Sequence, residues 1–258
     1  MTLLRARALA IGYPGKVVAQ GLDFVIEPAS VTCLLGPNGV GKTTLFKSLL
    51  GMIPAQAGEV DLLGRPLAAM RRDEIARVIA YVPQGQAVEF SYSVLDLVVM
   101  GRTAHLGMFA QPGDVDFRIA RQAMMRLGIA DLADRDSSRI SGGQRQLAYV
   151  ARALAQSAKI IVMDEPTASL DLANRARVLE MIKSMARSGL SIIMATHEPE
   201  NAFDSADQVI VLERGGALTS GPPQSVLSAE LLSRLYGVPI IVEQTASGRY
   251  VVRPDVLI

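Results

Sequence analysis

The chain has 258 residues, half of them hydrophobic, and a formal net charge of +1; it is long enough for one large α/β domain or two small ones and has no electrostatic signature of nucleic-acid binding. No apolar run reaches the roughly 18–20 residues that span a bilayer, and residues 1–10 lack an apolar core of signal-peptide length, so the expectation is a cytosolic, non-spanning chain. One cysteine, Cys33, excludes an internal disulfide and any cysteine-rich metal site, and its apolar strand context predicts a packed thiol.

The first thirty residues read as strands and turns. Leu22, Phe24 and Ile26 alternate with residues of the opposite face, and Tyr13-Pro14-Gly15 marks a turn. Val31 to Leu35 reads as a buried strand, followed by Gly36-Pro37-Asn38-Gly39-Val40-Gly41-Lys42-Thr43-Thr44 and a helix from Thr43 to Leu50. Strand, G-x-x-x-x-G-K-T loop and helix together predict a nucleoside-triphosphate site. Glycines let the backbone approach phosphate, and the helix start presents N–H groups to it. Lys42 is expected at the β- and γ-phosphates and the Thr43 hydroxyl on Mg²⁺.

Further along, Gly58 to Leu62 is a short strand, and a helix carries Met70, Ile75 and Val78. The strand 78–82 stops at Pro83, with Gln84 next; Arg71-Arg72 reads as a solvated helix start. The character then changes to helices joined by Gly and Pro turns. Ser93 caps one helix with Asp96, and residues 117–127 form another in which Met124 and Met125 are expected to fill a core. Ser141 opens a helix with Leu147, Val150, Ala151 and Leu154 inward. Lys159 to Met163 is a buried strand ending in Asp164-Glu165, and residues 171–186 form a helix with Leu172, Leu179, Ile182 and Met185 inward. A strand from Leu190 ends at Thr196 with His197 beyond it, and Gln208–Leu212 with Ala217–Thr219 suggests a hairpin. A terminal helix, 227–236, precedes a short tail with some β character. One domain over 1–236, with a helical insertion at about 85–147 and a tail at 237–258, is the expected organisation.

Two further features carry chemistry. Asp164 and Glu165 sit where an apolar strand ends, the edge at which α/β sheets bind ligands; Asp164 suits Mg²⁺ and Glu165 suits the attacking water. Ser141-Gly142-Gly143-Gln144 has two readings. Ser-x-x-Gln is a capping box, whereas paired glycines at a helix start also make an anion site, which a neighbouring copy of the chain would use for the same phosphate.

In this order, the loop Gly36–Thr44, Gln84, Ile140 to Gln144, Asp164-Glu165, Ser169-Leu170-Asp171 and His197 resemble the motifs of ABC transporter ATPase subunits over nearly the whole chain. The resemblance implies a phosphate-loop ATPase core with a small antiparallel β part and a helical insertion subdomain, and ATP with Mg²⁺ as ligands. It implies a head-to-tail homodimer in which Ser141 to Gln144 face the partner's loop and Asp171 crosses the interface. Tyr13 is similar to the aromatic that stacks on adenine, Gln84 to the residue that reaches metal and water, and His197 to the γ-phosphate contact. Ile140 stands where leucine is usual and Glu198 where aspartate is frequent. Ser93 to Arg102 with His105-Leu106-Gly107, and Leu235 to Val238, are similar to importers of iron–siderophore, haem or cobalamin, and also to some molybdate or tungstate importers; His105 is expected in a loop. The implied partners are two membrane-spanning permease subunits and, indirectly, a substrate-binding protein, at the cytoplasmic face of the inner membrane, with no nucleic acid. Exporters and sugar or amino-acid importers share the fold. Soluble members of translation or repair carry paired cassettes or a coiled-coil insertion, and neither occurs here.

Overall fold

A computed structural model describes residues 2–85, 91–107, 109–168, 170–216 and 218–255. The elements run β1 (Leu4–Tyr13), β2 (Lys16–Ile26), β3 (Val31–Leu35), α1 (Lys42–Leu49), β4 (Ala57–Leu62), β5 (Arg65–Pro66), α2 (Arg72–Ala76), β6 (Ile79–Val82), α3 (Val94–Val99), α4 (Asp114–Arg126) and α5 (Gly142–Ala155). They continue with β7 (Ile160–Asp164), α6 (Leu172–Arg187), β8 (Ser191–Thr196), α7 (Pro199–Ser205), β9 (Gln208–Leu212), β10 (Leu218–Gly221), α8 (Pro223–Val226), α9 (Ala229–Tyr236), β11 (Ile240–Gln244) and β12 (Tyr250–Pro254). The chain divides into two compact units, Met1–Met70 with Ile182–Ile258, and Arg71–Met181.

In the first unit, β2, β1, β4 and β5 form an antiparallel sheet. Separately, β3 runs parallel to both β8 and β9, and β10 closes antiparallel on β9. Strands flanked on both sides and covered on both faces read as near-continuous apolar runs; accordingly, all five residues of β3 and all six of β8 are buried, with Thr32, Ser191 and Thr196 the polar members. The register pairs Leu35 with Thr196, which brings the chain beyond β3 and the chain beyond β8 out at the same edge.

The tail is a β11–β12 hairpin rather than a loose end. It is fixed by a Phe203–Tyr250 ring stack, centroids 4.4 Å apart, and by the Val252 N–H donating to Glu200 Oε1 at 3.2 Å. The anchoring helix α7 is not anticipated by the sequence reading.

In the second unit, β6 and β7 are parallel, with Tyr81 opposite Val162 and Val82 opposite Met163. Helices α3, α4 and α5 pack on one another. Gly101 makes this possible, since a Cβ there would stand 2.1 Å from the Arg152 carbonyl oxygen. Buried Arg102 pairs with Asp116 at 2.9 Å and donates to the Ala155 carbonyl at 2.9 Å. Ser93 caps α3 through the Asp96 N–H at 3.0 Å, as its spacing predicts.

Three inward-face expectations change. On α5 the buried residues are Ala148, Tyr149, Val150, Ala151, Ala153 and Ala155, while Leu147 and Leu154 are only half-buried; close helix packing selects small residues over the leucines that periodicity favours. Leu172 is 82% exposed, whereas Leu179, Ile182 and Met185 are buried as expected. Met124 is buried but Met125 is exposed.

Candidate functional site

The loop after β3 is built for close approach. Gly41 has φ 117°, and a Cβ on it would lie 2.7 Å from Val18 Cγ1; one on Gly36 would lie 2.7 Å from the Leu212 carbonyl oxygen. Any side chain at either position displaces its neighbours. Lys42 opens α1 and is only 6% exposed; its Nζ donates to the Gly36 carbonyl at 2.7 Å and to that of Pro37 at 3.4 Å. The ammonium is therefore turned back into its own loop, a position from which incoming phosphate oxygens can replace carbonyl acceptors. Thr43 is exposed on the first turn of α1, and Thr44 is buried. Beneath the loop, burial pushes the Cys33 thiol up to about 12, with the Lys42 charge opposing; the thiol is packed and unreactive, as its strand context predicts.

His197 follows Thr196 at the edge that Leu35 shares. Its carbonyl accepts the Tyr236 hydroxyl at 2.7 Å, and burial holds that phenol well above its ordinary range. The backbone beyond β8 is held by Thr196 Oγ1, which accepts the Glu198 N–H and the Asn201 amide, each at 3.1 Å. Asn201 also donates to Glu198 Oε2 at 3.0 Å; these partners are not identified from sequence. Tyr13 is exposed at the end of β1, opposite Lys16.

In the second unit, the exits of β6 and β7 run on side by side. Asp164 ends β7 and is 3% exposed; Tyr81 Oη lies 3.4 Å from its Oδ2. Burial, then Asp164, pushes the Tyr81 phenol up to about 12. Glu165 adopts φ 48°, a left-handed conformation that costs a non-glycine residue roughly 1–2 kcal/mol, and Gln84 Nε2 donates to its Oε2 at 3.1 Å. Strain of this kind persists where the surroundings over-determine it, commonly at functional sites.

The segment Ser141 to Gln144 forms the capping box: the Gln144 N–H donates to Ser141 Oγ at 3.2 Å and the Ser141 N–H to Gln144 Oε1 at 3.0 Å. Arg145 adds donation from Nη2 to the Ser138 and Ile140 carbonyls, both at 3.3 Å. A Cβ on Gly143 would sit 3.3 Å from the Asn174 amide, and Asn174 in turn donates to both Asp171 oxygens, from its backbone at 2.7 Å and its side chain at 2.9 Å. Asp171 thus serves the start of α6. Ser169 lies outside the described residues.

A cavity of about 430 Å³ is lined by Gln84, Gly85, Gly142, Arg145, Gln146, Tyr149, Glu165, Ala168 and Leu170. The second unit therefore brings together Gln84, Glu165 and Gly142, and the first unit brings the Gly36–Thr44 loop and His197 to one sheet edge. Arg145, Gln146, Tyr149 and Tyr81 are the residues around these groups that the sequence reading passes over. Thr43 in the first unit and Asp164 in the second each offer a hard oxygen of the kind Mg²⁺ takes, and no cluster of three or more His, Cys, Asp or Glu that could hold a metal exists among the described residues. Mg²⁺ typically takes one or two protein oxygens together with phosphates and water.

Residues 19–168 match the ABC transporter family. An ABC transporter ATP-binding protein of Haemophilus influenzae is 41% identical over 91% of this chain and 89% of its own length. A probable iron chelatin transport ATP-binding protein of Helicobacter pylori is 34% identical over 92% and 94%. Relatives named for hemin, molybdate and manganese transport are 36%, 35% and 32% identical. Among solved structures, an inward-facing metal-chelate type ABC transporter superposes with TM-score 0.87 at 32% identity, covering 98% of this chain and 97% of that one.

Proposed function

The chain belongs to the ABC transporter family as an ATP-hydrolysing subunit, and from that premise we propose that it powers the import of a metal chelate of the iron–siderophore, haem or cobalamin type. The observation that carries the cargo class is the end-to-end likeness to the metal-chelate type transporter, which includes the C-terminal hairpin. Import of molybdate or another cargo is the second reading, supported by relatives of nearly equal identity.

In this reading, the N–H groups at the start of α1 and Lys42 hold the phosphates, with Gly36 to Thr44 wrapped around them. Tyr13 stacks on the adenine and His197 contacts the γ-phosphate. Thr43, Asp164 and Gln84 hold Mg²⁺, which when bound neutralises charge on the β- and γ-phosphates. Glu165 takes a proton from the attacking water, and Gln84 orients its carboxylate for that purpose. Ser141 to Gln144 and Asp171 serve the second chain of a homodimer. The dimer works beneath two permease subunits, served by a binding protein, at the cytoplasmic face of the membrane. No helix among the described residues is long and apolar enough to cross a bilayer, which fits a peripheral subunit.

Uptake assays separate the cargoes. A strain lacking this chain should lose uptake of a labelled iron chelate, haem or cobalamin and regain it with wild type but not with Glu165→Gln. Intact chelate uptake alongside lost molybdate or manganese uptake overturns the cargo assignment and leaves the ATPase role standing.

A further inference from the structure

The exit of β6 reaches both acids at the exit of β7. Tyr81 pairs with Val162 across the parallel ladder, and side chains two residues apart on a strand share a face. Tyr81, Val162 and Asp164 therefore share one face. A side chain as long as tyrosine's extends from the level of Val162 to that of Asp164, and Oη stands 3.4 Å from Oδ2. Three residues on, past Pro83, Gln84 gives its amide to Glu165 at 3.1 Å. Phenol to the first acid and amide to the second is a paired arrangement, and only its second half has an assigned role.

The rest of β6 shows why the hydroxyl matters. Ile79, Ala80 and Val82 are apolar and buried, so phenylalanine at position 81 would satisfy the packing alone. A hydroxyl beside a carboxylate that is 3% exposed adds a donor where water has little access. The final torsion of an aspartate is broad and roughly two-fold, so packing fixes it weakly. A donor held by a strand can fix it.

We infer that Tyr81 is a positioning residue for Asp164: its hydroxyl holds Oδ2 and so sets the plane of the carboxylate that receives Mg²⁺. The inference rests on the proposed reading of Asp164 as the carboxylate that holds Mg²⁺. Groups that orient metal ligands commonly account for about 10–100-fold in metal affinity; because 3.4 Å is long for this bond, the lower end applies.

The test uses Mn²⁺ as the probe, titrated onto the full chain with ATP and read by electron paramagnetic resonance. Wild type, Tyr81→Phe, Asp164→Asn and the double variant form a cycle, with thermal melting and ATP binding in EDTA measured on each. Tyr81→Phe should weaken Mn²⁺ binding about tenfold, leave metal-free ATP binding unchanged, and regain its hydrolysis rate at high Mg²⁺. On the Asp164→Asn background it should add no further loss, since the partner is gone. Unchanged Mn²⁺ affinity in Tyr81→Phe overturns the inference, even if melting falls, because the hydroxyl then serves packing alone. An equal loss on both backgrounds overturns it as well. If Asp164→Asn itself leaves Mn²⁺ binding intact, the parent reading of Asp164 fails first.

Discussion

Gln84 and Glu165 each stand two residues past the last paired positions, Val82 and Met163, of neighbouring parallel strands, and the amide of the first donates to the carboxylate of the second at 3.1 Å. Sequence places them 81 residues apart, and the β6–β7 ladder alone brings them into contact. The bond survives replacement of the carboxylate by an amide, whose oxygen still accepts. Glu165→Gln should thus fold as the wild type and bind ATP, yet hydrolyse it about 10²–10⁴-fold more slowly for want of a base. Steady-state phosphate release measures this, and near-normal turnover would move the base elsewhere, with His197 the next candidate.

Lys42→Ala should abolish ATP binding. The side chain is the only buried lysine among the described residues, and it is held at the mouth of the loop by the Gly36 carbonyl. Titration with a fluorescent ATP analogue checks it; unchanged affinity removes the phosphate-loop assignment.

Ser141 to Gln144 form a capping box within one chain, and in the proposed dimer a second chain reads them too. Lys42→Ala mixed with Ser141→Arg should restore ATPase activity, because one of the two composite sites in the mixed dimer then carries neither defect. Loss of the cap alone costs about 1 kcal/mol, so melting of Ser141→Arg must be recorded beside the rate. No recovery in proven mixed dimers would assign the segment to capping only.

We propose that an apolar cluster in the segment from about Gly85 to Gln111, namely Phe90, Tyr92, Leu106, Met108 and Phe109, meets the permease; Phe90 and Met108 lie outside the described residues. Phe109 is 94% and Tyr92 41% exposed, and Leu106 is half-buried. Exposed aromatics of this size are characteristic of interface centres. Phe109→Glu and Tyr92→Glu should leave melting and basal ATPase unchanged while weakening co-purification with the permease. A fall in melting temperature with the complex intact would make them core residues of the insertion.

The Cys33 thiol supplies a pH test. The folded protein holds its proton up to about 12, against an ordinary value of 9.0. Above the ordinary value the unfolded chain releases a proton that the folded chain keeps. The thiol's contribution to stability is therefore complete below pH 9 and is lost progressively toward pH 12. Urea unfolding across that window should show a shallower decline for Cys33→Ala than for wild type; identical slopes would mean that the thiol ionises freely in the fold.

The loop Gly36–Thr44 and the acids after β7 were legible in sequence because each is local: glycines where the chain must turn, and charge directly after an apolar strand. The central strands were equally plain, since burial of every position leaves β3 and β8 largely apolar, with only Thr32, Ser191 and Thr196 polar. Tyr81 was not legible, because its partner is chosen by strand register and no local pattern marks it. Leu172 misled because the apolar period of α6 was extended one turn too far, to a residue at the helix's exposed start. Helix α7 has seven residues and begins with Pro199, too short to show a period. The hairpin β11–β12 depends on contacts with α7 and α9, and those are tertiary.

The hydroxyl of Tyr236 holds the His197 carbonyl, and this has a consequence for the newborn chain. Synthesis delivers the N-terminal parts first, but β3, which leads into the phosphate loop, pairs with β8 and β9, so both strands must emerge before that loop is seated. The His197 carbonyl gains its Tyr236 donor only when α9 has followed them. A chain stopped before Tyr236 therefore lacks the bond that fixes the backbone at His197, the residue proposed above to contact the γ-phosphate.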